Sequence, residues 1–268
     1  MNYTLRVTTN QRTFIVKQSR PWVEKYPQIP APDERAVTEG KFYSLVSTDS
    51  VLAGRMPRLI GVSAADRLLA LEDAGADARD FTSLYAGAVL AASDRNVLVD
   101  WLQRLHREFR GRNTDFDRNL EMRKLNHEYI FVQPLTVGVK FSAAYSRRVE
   151  QLGRMYLGDG PCLLHGDYFP GSWLQTASGV RVIDPEFAFF GPPEFDAGVF
   201  LAHLHLAGQP DPDGLLADLS NWCDPGLTRQ FAGVEIMRRI LGVAQLPLRA
   251  SPGEKLLLLE KSKEFILE

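Results

Sequence analysis

Two short apolar runs, each ending on acidic residues, constrain this chain more than any other feature. Cys162-Leu163-Leu164 leads into His165-Gly166-Asp167, and Val180 to Ile183 leads into Asp184-Pro185-Glu186. Each run has the length and apolar character of a short buried strand, so each sets carboxylates on a loop at a strand end. Any fold that accepts both must place these acids where they are paired or solvated, because unpaired buried charge is costly.

Gly166, Pro170 and Gly171 surround Asp167. Glycines let backbone and ligand approach closely, so the Asp167 carboxylate can reach a bound hydroxyl and receive its proton. Taken alone, His-Gly-Asp reads equally as a turn aspartate capping its own backbone. Asp184 and Glu186, two apart on an extended segment, can both meet one hard cation, and magnesium takes a few such oxygens together with phosphate. The alternative is a pair of solvated loop acids; the flanking Ile183 and Phe187 argue for burial. Together the two motifs read as the acidic stations of a phosphoryl-transfer site.

Lys17 is the only lysine on two expected N-terminal strands, where an ammonium could meet phosphate oxygens, with Glu39 on the following helix as ionic partner. A lone strand lysine is otherwise a solvated edge residue. Arg238-Arg239 lie on a helix with apolar flanks. Adjacent helical residues point about 100° apart, which predicts one arginine inward and one outward, or a buried structural ion pair plus a surface arginine. The histidines make no metal site: His203 and His205, two apart on a predicted helix, do not share a face.

Composition narrows the class. An apolar fraction of 45% and a charged fraction of 24% belong to an ordinary globular protein, and a net charge of -2 gives nucleic acid or an anionic membrane no electrostatic grip. No apolar run reaches the ~18 residues that span a bilayer. Two cysteines, Cys162 and Cys223, with no visible leader predict free thiols in a reducing cytoplasm.

The order of elements is also legible. Tyr3, Leu5 and Val7 alternate with polar residues, Thr9-Asn10-Gln11 supplies a turn, and Thr13 to Lys17 returns as a strand with Ile15 and Lys17 on one face. Asp33 reads as a helix start, with Ala36, Phe42 and Leu45 on the apolar stripe. Leu68 to Leu71, followed by Glu72-Asp73-Ala74-Gly75, reads as a buried strand ending in a hinge. Leu98, Trp101, Leu102, Leu105 and Phe109 form one helix face. Phe195 to Leu206 and a capping box at Ser251-Pro252-Gly253-Glu254 mark two later helices.

In this combination and order, the chain resembles the protein-kinase-like small-molecule kinases of the aminoglycoside and choline kinase group, and most closely their methylthioribose kinase branch. The matching stretches are Val16-Lys17-Gln18, Glu34 to Glu39, Asn119 to Met122 with Ile130-Phe131, His165-Gly166-Asp167, Gly171-Ser172, Val182 to Phe187, Gly191-Pro192, Phe195-Asp196 and Arg238 to Gly242. The resemblance implies an α+β fold of two lobes: a small, N-terminally truncated β-rich lobe over residues 1–74 and a larger, mainly helical lobe over 75–268. It implies ATP as co-substrate and Mg2+ as cofactor. Lys17, paired with Glu39, would touch the nucleotide phosphates, and the backbone of Leu71, Glu72 and Asp73 would read adenine. Asp167 would be the catalytic aspartate. Asp184 and Glu186 would hold magnesium, with Ser172 where the wider group has asparagine. Asp196 would brace the catalytic loop, and Arg238 and Arg239 would bind a sugar-type hydroxyl substrate.

The family places a glycine-containing loop and a strand before the segment beginning Asn-Tyr, whereas here Asn2-Tyr3 follow Met1 directly. The chain is therefore expected to start inside that loop, leaving β-edge surface that could support a homodimer. Beside the enzyme stands a second reading, a catalytically impaired kinase-like protein that binds nucleotide or a partner without turnover.

Overall fold

The N-terminal alternation of apolar and polar residues folds into sheet. In this computed structural model, which describes residues 2–112, 116 and 118–268, the chain begins with strands β1 (Tyr3–Thr8) and β2 (Thr13–Gln18). A small hairpin of β3 (Trp22–Val23) and β4 (Tyr26–Pro30) follows. Helices α1 (Arg35–Val46) and α2 (Ser50–Ala53) then lead to β5 (Leu59–Ser63) and β6 (Leu68–Glu72). One antiparallel sheet runs in the order β1-β2-β6-β5.

Register decides where Lys17 points. It sits opposite Thr4 on β1 and Leu69 on β6. Because side chains alternate across a strand, Ile15 and Lys17 share a face. Ile15 packs against the main core and Lys17 is buried beside α1. The helix comes unusually close to the sheet at Gly40, where a Cβ would run into the Val62 side chain. That close approach carries the neighbouring Glu39 to Lys17.

The expected helix start at Asp33 is displaced. Helix α1 opens at Arg35, and Glu34 occupies the cap position without a side-chain capping bond. Asp33 faces Arg67 instead, at 3.4 Å, so an ion pair takes the carboxylate that a cap would use. Strand β1 also departs from the half-buried pattern: Tyr3 and Leu5 are exposed, as an edge position allows.

The rest of the chain is mainly helical. Strand β7 (Arg79–Asp80) precedes α3 (Ala92–Glu108), α4 (Leu120–His127) and α5 (Ala143–Leu157). After these come β8 (Cys162–Leu164), β9 (Trp173–Thr176), β10 (Gly179–Val182) and β11 (Phe189–Gly191). Four helices close the chain: α6 (Pro193–Leu206), α7 (Gly214–Leu219), α8 (Pro225–Leu241) and α9 (Pro252–Leu267). The predicted apolar face of α3 is buried at all five positions, and Ser251 and Glu254 form the expected capping box on α9. β9 and β10 pair as a hairpin, and β8 pairs with β11.

One apolar core joins the small sheet lobe to the larger helical part. Phe42 and Leu69 from the first meet Leu102, Tyr168, Trp173 and Phe200 from the second. A satellite cluster of Val23, Ile29 and Ala31, packed with Tyr26, Leu125 and Tyr129, closes the β3–β4 hairpin against the helices. Both cysteines are free and buried, and burial pushes the Cys162 thiol up to about 11. Among the described residues no helix is long and apolar enough to cross a membrane.

Candidate active site

The two acidic loops are held together by a second layer of buried polar residues. Asp196, on α6, accepts the backbone N–H of His165 at 2.7 Å and of Gly166 at 2.9 Å, one on each carboxylate oxygen. His106 on α3 adds a third contact at 3.2 Å. Since Trp222 Nε1 donates to His106 Nδ1, the remaining ring proton lies on Nε2 and is donated to Asp196. Asp196 thus holds the 165–167 loop through two backbone N–H groups, the bracing position that the resemblance implied.

His165 ties this loop to the next one. Its Nε2 donates to the Ile183 carbonyl at 2.9 Å, while Nδ1 faces the Asp167 N–H. Burial holds the imidazole below its ordinary range, so it stays neutral. Gly166 is left-handed (φ +85°), and a Cβ there would collide with the Phe187 carbonyl. The two loops therefore touch backbone to backbone.

Asp184 is not on an extended segment. It adopts a left-handed conformation (φ 63°, ψ 46°) directly before Pro185, and Pro185–Phe187 form a single helical turn. A left-handed aspartate costs on the order of 1–3 kcal/mol, and a following proline disfavours helical backbone further. The turn that follows is held by Asn119, whose Nδ2 donates to the carbonyls of both Glu186 and Ala188 at 3.1 Å.

Lys17 Nζ lies 2.6 Å from Glu39 Oε1 and also contacts Asp184 Oδ1. Burial alone would lower the Lys17 pKa, but the carboxylates of Asp184 and Glu39 carry it well above normal. Burial likewise raises Asp184, and the Lys17 ammonium more than offsets it, leaving that carboxyl below its usual range. Glu39, fully enclosed, is pushed up to about 7 by burial despite Lys17.

Opposite stands Asp167. Its side chain is 22% exposed, and the nearest Nη2 atoms of Arg238 and Arg239 are each 3.5 Å from Oδ1. Burial raises its pKa, with the two guanidinium groups opposing the rise. The expectation of one inward and one outward arginine fails: the side chains are 11% and 7% exposed, and both line the cleft. The reason is Glu235, one turn earlier on α8, whose two oxygens take the Nε atoms of Arg238 and Arg239, the latter at 2.8 Å. One buried acid turns both arginines the same way.

A cleft of about 510 Å³ joins Asp167, Ser172, Asp184, Glu186, Arg238 and Arg239. Its other wall is apolar, from Val23, Tyr26, Ile29, Leu125 and Tyr129. Asp184 keeps 41% of its side chain exposed, and Glu186 is buried within 3.4 Å of Arg35 Nε. The Ser172 hydroxyl donates to the Asp167 carbonyl at 2.8 Å, which leaves oxygen lone pairs for another contact. No cluster of three or more histidine, cysteine or acidic side chains able to hold a metal occurs among the described residues. Two carboxylates and a hydroxyl on one cleft nonetheless fit magnesium, which draws its remaining oxygens from phosphate and water.

Leu71, Glu72 and Asp73 do not line this cleft. Leu71 lies between Ile15 and Leu59 in the sheet, and the Glu72 N–H donates to the Arg58 carbonyl at 2.9 Å. Asp73 is clamped by Arg6, whose Nε is 2.9 Å from Oδ2. Sequence reasoning missed Arg35 and Glu235. Arg35 opens α1 and spans the Pro32 carbonyl (2.6 Å), the Trp22 carbonyl (3.3 Å) and Glu186. An arginine at a helix start gives no local hint of such reach. For Glu235 the signal existed, a carboxylate at i-3 and i-4 from twin arginines.

Known proteins are similar to this chain in sequence and in fold. Residues 2–229 match the phosphotransferase enzyme family (APH). A methylthioribose kinase of Exiguobacterium sibiricum is 48% identical over 73 residues, covering 27% of this chain and 19% of that one. A methylthioribose kinase of Geobacillus kaustophilus is 50% identical over 132 residues, covering 36% and 33%. The chain thus spans about a fifth to a third of the length of these curated relatives. In fold it is similar to a choline kinase from Streptococcus pneumoniae, with a TM-score of 0.56 and 13% identity over 99% of this chain and 89% of that one. With most of its length matched in order and a small sheet lobe set on a larger helical part, this chain belongs to the phosphotransferase enzyme family.

Proposed function

We propose that this protein is a small-molecule kinase that moves the γ-phosphoryl group of ATP, with magnesium, onto a hydroxyl of a small polar acceptor. Methylthioribose or a similar sugar is the leading acceptor. The observation that carries the reading is the convergence of Asp167, Asp184, Glu186, Arg238 and Arg239 on one cleft, with the Lys17–Glu39 pair reaching it through Asp184.

In the proposed step the acceptor oxygen bonds to phosphorus as the bond to the β,γ-bridging oxygen breaks. ADP departs, and the hydroxyl proton passes to the Asp167 carboxylate. Such transfer needs alignment and charge neutralisation more than covalent chemistry. A base raised above the ordinary carboxylate range accepts a proton more readily, and burial gives Asp167 that character. Lys17, fixed by Glu39, would meet phosphate oxygens. Asp184, Glu186 and Ser172 would hold magnesium, which supplies positive charge at the phosphates. The boundary between residues 1–74 and 75–268 belongs to the same proposal.

The acceptor is argued from charge and from kinship. Two guanidinium groups facing Asp167 offer only N–H donors, which suit the oxygens of a neutral or anionic molecule and not the N–H groups of an ammonium. The curated relatives named methylthioribose kinases support a sugar of that type. A panel of acceptors with ATP and magnesium tests the proposal: turnover is expected with the thio-sugar or a related neutral sugar and not with choline or an aminoglycoside. Preferred turnover of the cations would overturn the acceptor assignment.

A further inference from the structure

A line of buried hydrogen bonds runs behind the arginines from a part of the chain far from the reacting groups. Tyr85, in the turn Phe81–Ala86, places its hydroxyl 2.6 Å from Nδ1 of His203 on α6. His203 Nε2 lies 2.9 Å from Glu235 Oε1 on α8. Glu235 in turn holds the Nε atoms of Arg238 and Arg239. Tyr85, His203 and Glu235 are all buried.

The proton positions follow from the partners. The neighbouring arginines and His203 hold Glu235 ionised against the effect of burial, so it only accepts. His203 Nε2 must then carry the proton and donate it. Burial keeps the ring neutral, with its pKa lowered to about 4, so Nδ1 accepts from the Tyr85 hydroxyl. Every donor in the line points toward Glu235.

The line also fixes the arginines on the ligand side. Arg239 stacks on Phe169, 4.8 Å from its centroid, and Phe169 in turn sits 5.2 Å from the His203 ring. Arg239 Nη1 donates to the Ala244 carbonyl at 3.3 Å, and the Tyr85 carbonyl receives the Arg249 N–H at 2.9 Å. Tyr85 therefore anchors His203 with its side chain and, with its backbone, the segment that contributes Val243 to Pro247 to the cleft wall.

We propose that Tyr85, His203 and Glu235 are positioning residues that aim both guanidinium groups at Asp167 and the acceptor. The inference rests on the kinase reading above and deepens it. With each Nε engaged by Glu235, the outer Nη groups are turned toward the cleft, and both arginines become acceptor-binding groups although they are adjacent on a helix.

The test uses the full-length protein labelled with 15N-arginine, together with steady-state kinetics. In wild type, the Arg238 and Arg239 Nε–H groups, assigned through Arg238→Lys and Arg239→Lys, should exchange slowly with solvent. Glu235→Gln, whose amide offers a donor where an acceptor is needed, should speed both and raise the acceptor KM about 10- to 100-fold, with the ATP KM within about twofold. Should that variant fail to fold, Tyr85→Phe, at the far end of the line, should speed exchange about fivefold and raise only the acceptor KM. His203→Gln can still donate to Glu235 and accept from Tyr85, so it should behave nearly as wild type, whereas His203→Leu should not. Unchanged Nε–H exchange in Glu235→Gln and Tyr85→Phe would overturn the proposal, as would acceptor and ATP KM rising together. If wild type phosphorylates no hydroxyl acceptor, the kinase reading falls, and the exchange experiment still decides the positioning role.

Discussion

Lys17 and Glu39 meet at 2.6 Å between a strand and a helix, both nearly sealed from solvent, with Asp184 completing the contact from the other lobe. This pairing couples the small sheet lobe to the acidic loops. It also sets a price on either partner, since breaking a buried pair leaves an uncompensated charge.

Lys17→Met is expected to lose about 1–3 kcal/mol of stability, because Glu39 protonates and Asp184 is left without its cation, and to weaken an ATP analogue by more than tenfold. Replacing both, as Lys17→Met with Glu39→Leu, should recover most of the stability and none of the affinity. Urea melts and calorimetric titration measure the two quantities separately. Recovery of nucleotide binding in the double variant would remove Lys17 from the phosphate site.

Asp196→Asn should be costly although it changes one atom. The backbone donors of His165 and Gly166 need one oxygen each, and His106 shares one of the two. Asparagine keeps a single acceptor, so an N–H is left buried and unmatched, a loss of about 2–3 kcal/mol. Turnover should fall with it, because the Asp167 loop loosens. A melt within experimental error of wild type would show that the loop is held otherwise.

His203 and Glu39 predict opposite responses to acid. The His203 contribution is complete above its unfolded pKa near 6.5 and is lost as pH falls toward about 4. The Glu39 contribution is complete below about 4.5 and is lost as pH rises to about 7. The two flatten each other in wild type. In His203→Gln only the Glu39 response remains, so the stability of the variant relative to wild type should rise by about 3 kcal/mol between pH 7 and pH 4. A constant difference across that range would place His203 in solvent contact.

The residues that were legible in sequence share one property: a short local motif announces each. Asp167, Asp184 and Glu186 follow apolar strands, and strand alternation alone put Lys17 and Ile15 on one face. What was not legible depends on long-range contacts. Nothing near Arg35 in the chain signals Glu186, 151 positions on, which it meets at 3.4 Å. His203, set aside as no metal ligand, joins Tyr85 118 positions away. The left-handed Asp184 was misread as extended because a residue before proline normally is. The two arginines were split between faces because helical geometry was considered without the acid that gathers them.

The most direct measurement is turnover of Asp167→Asn beside wild type with ATP, magnesium and the best acceptor of the panel, together with nucleotide affinity. The variant is predicted to lose about 10²- to 10⁴-fold in kcat while binding nucleotide as wild type does. Turnover equal to wild type would contradict the account, leaving Asp167 a loop residue and the cleft without its base.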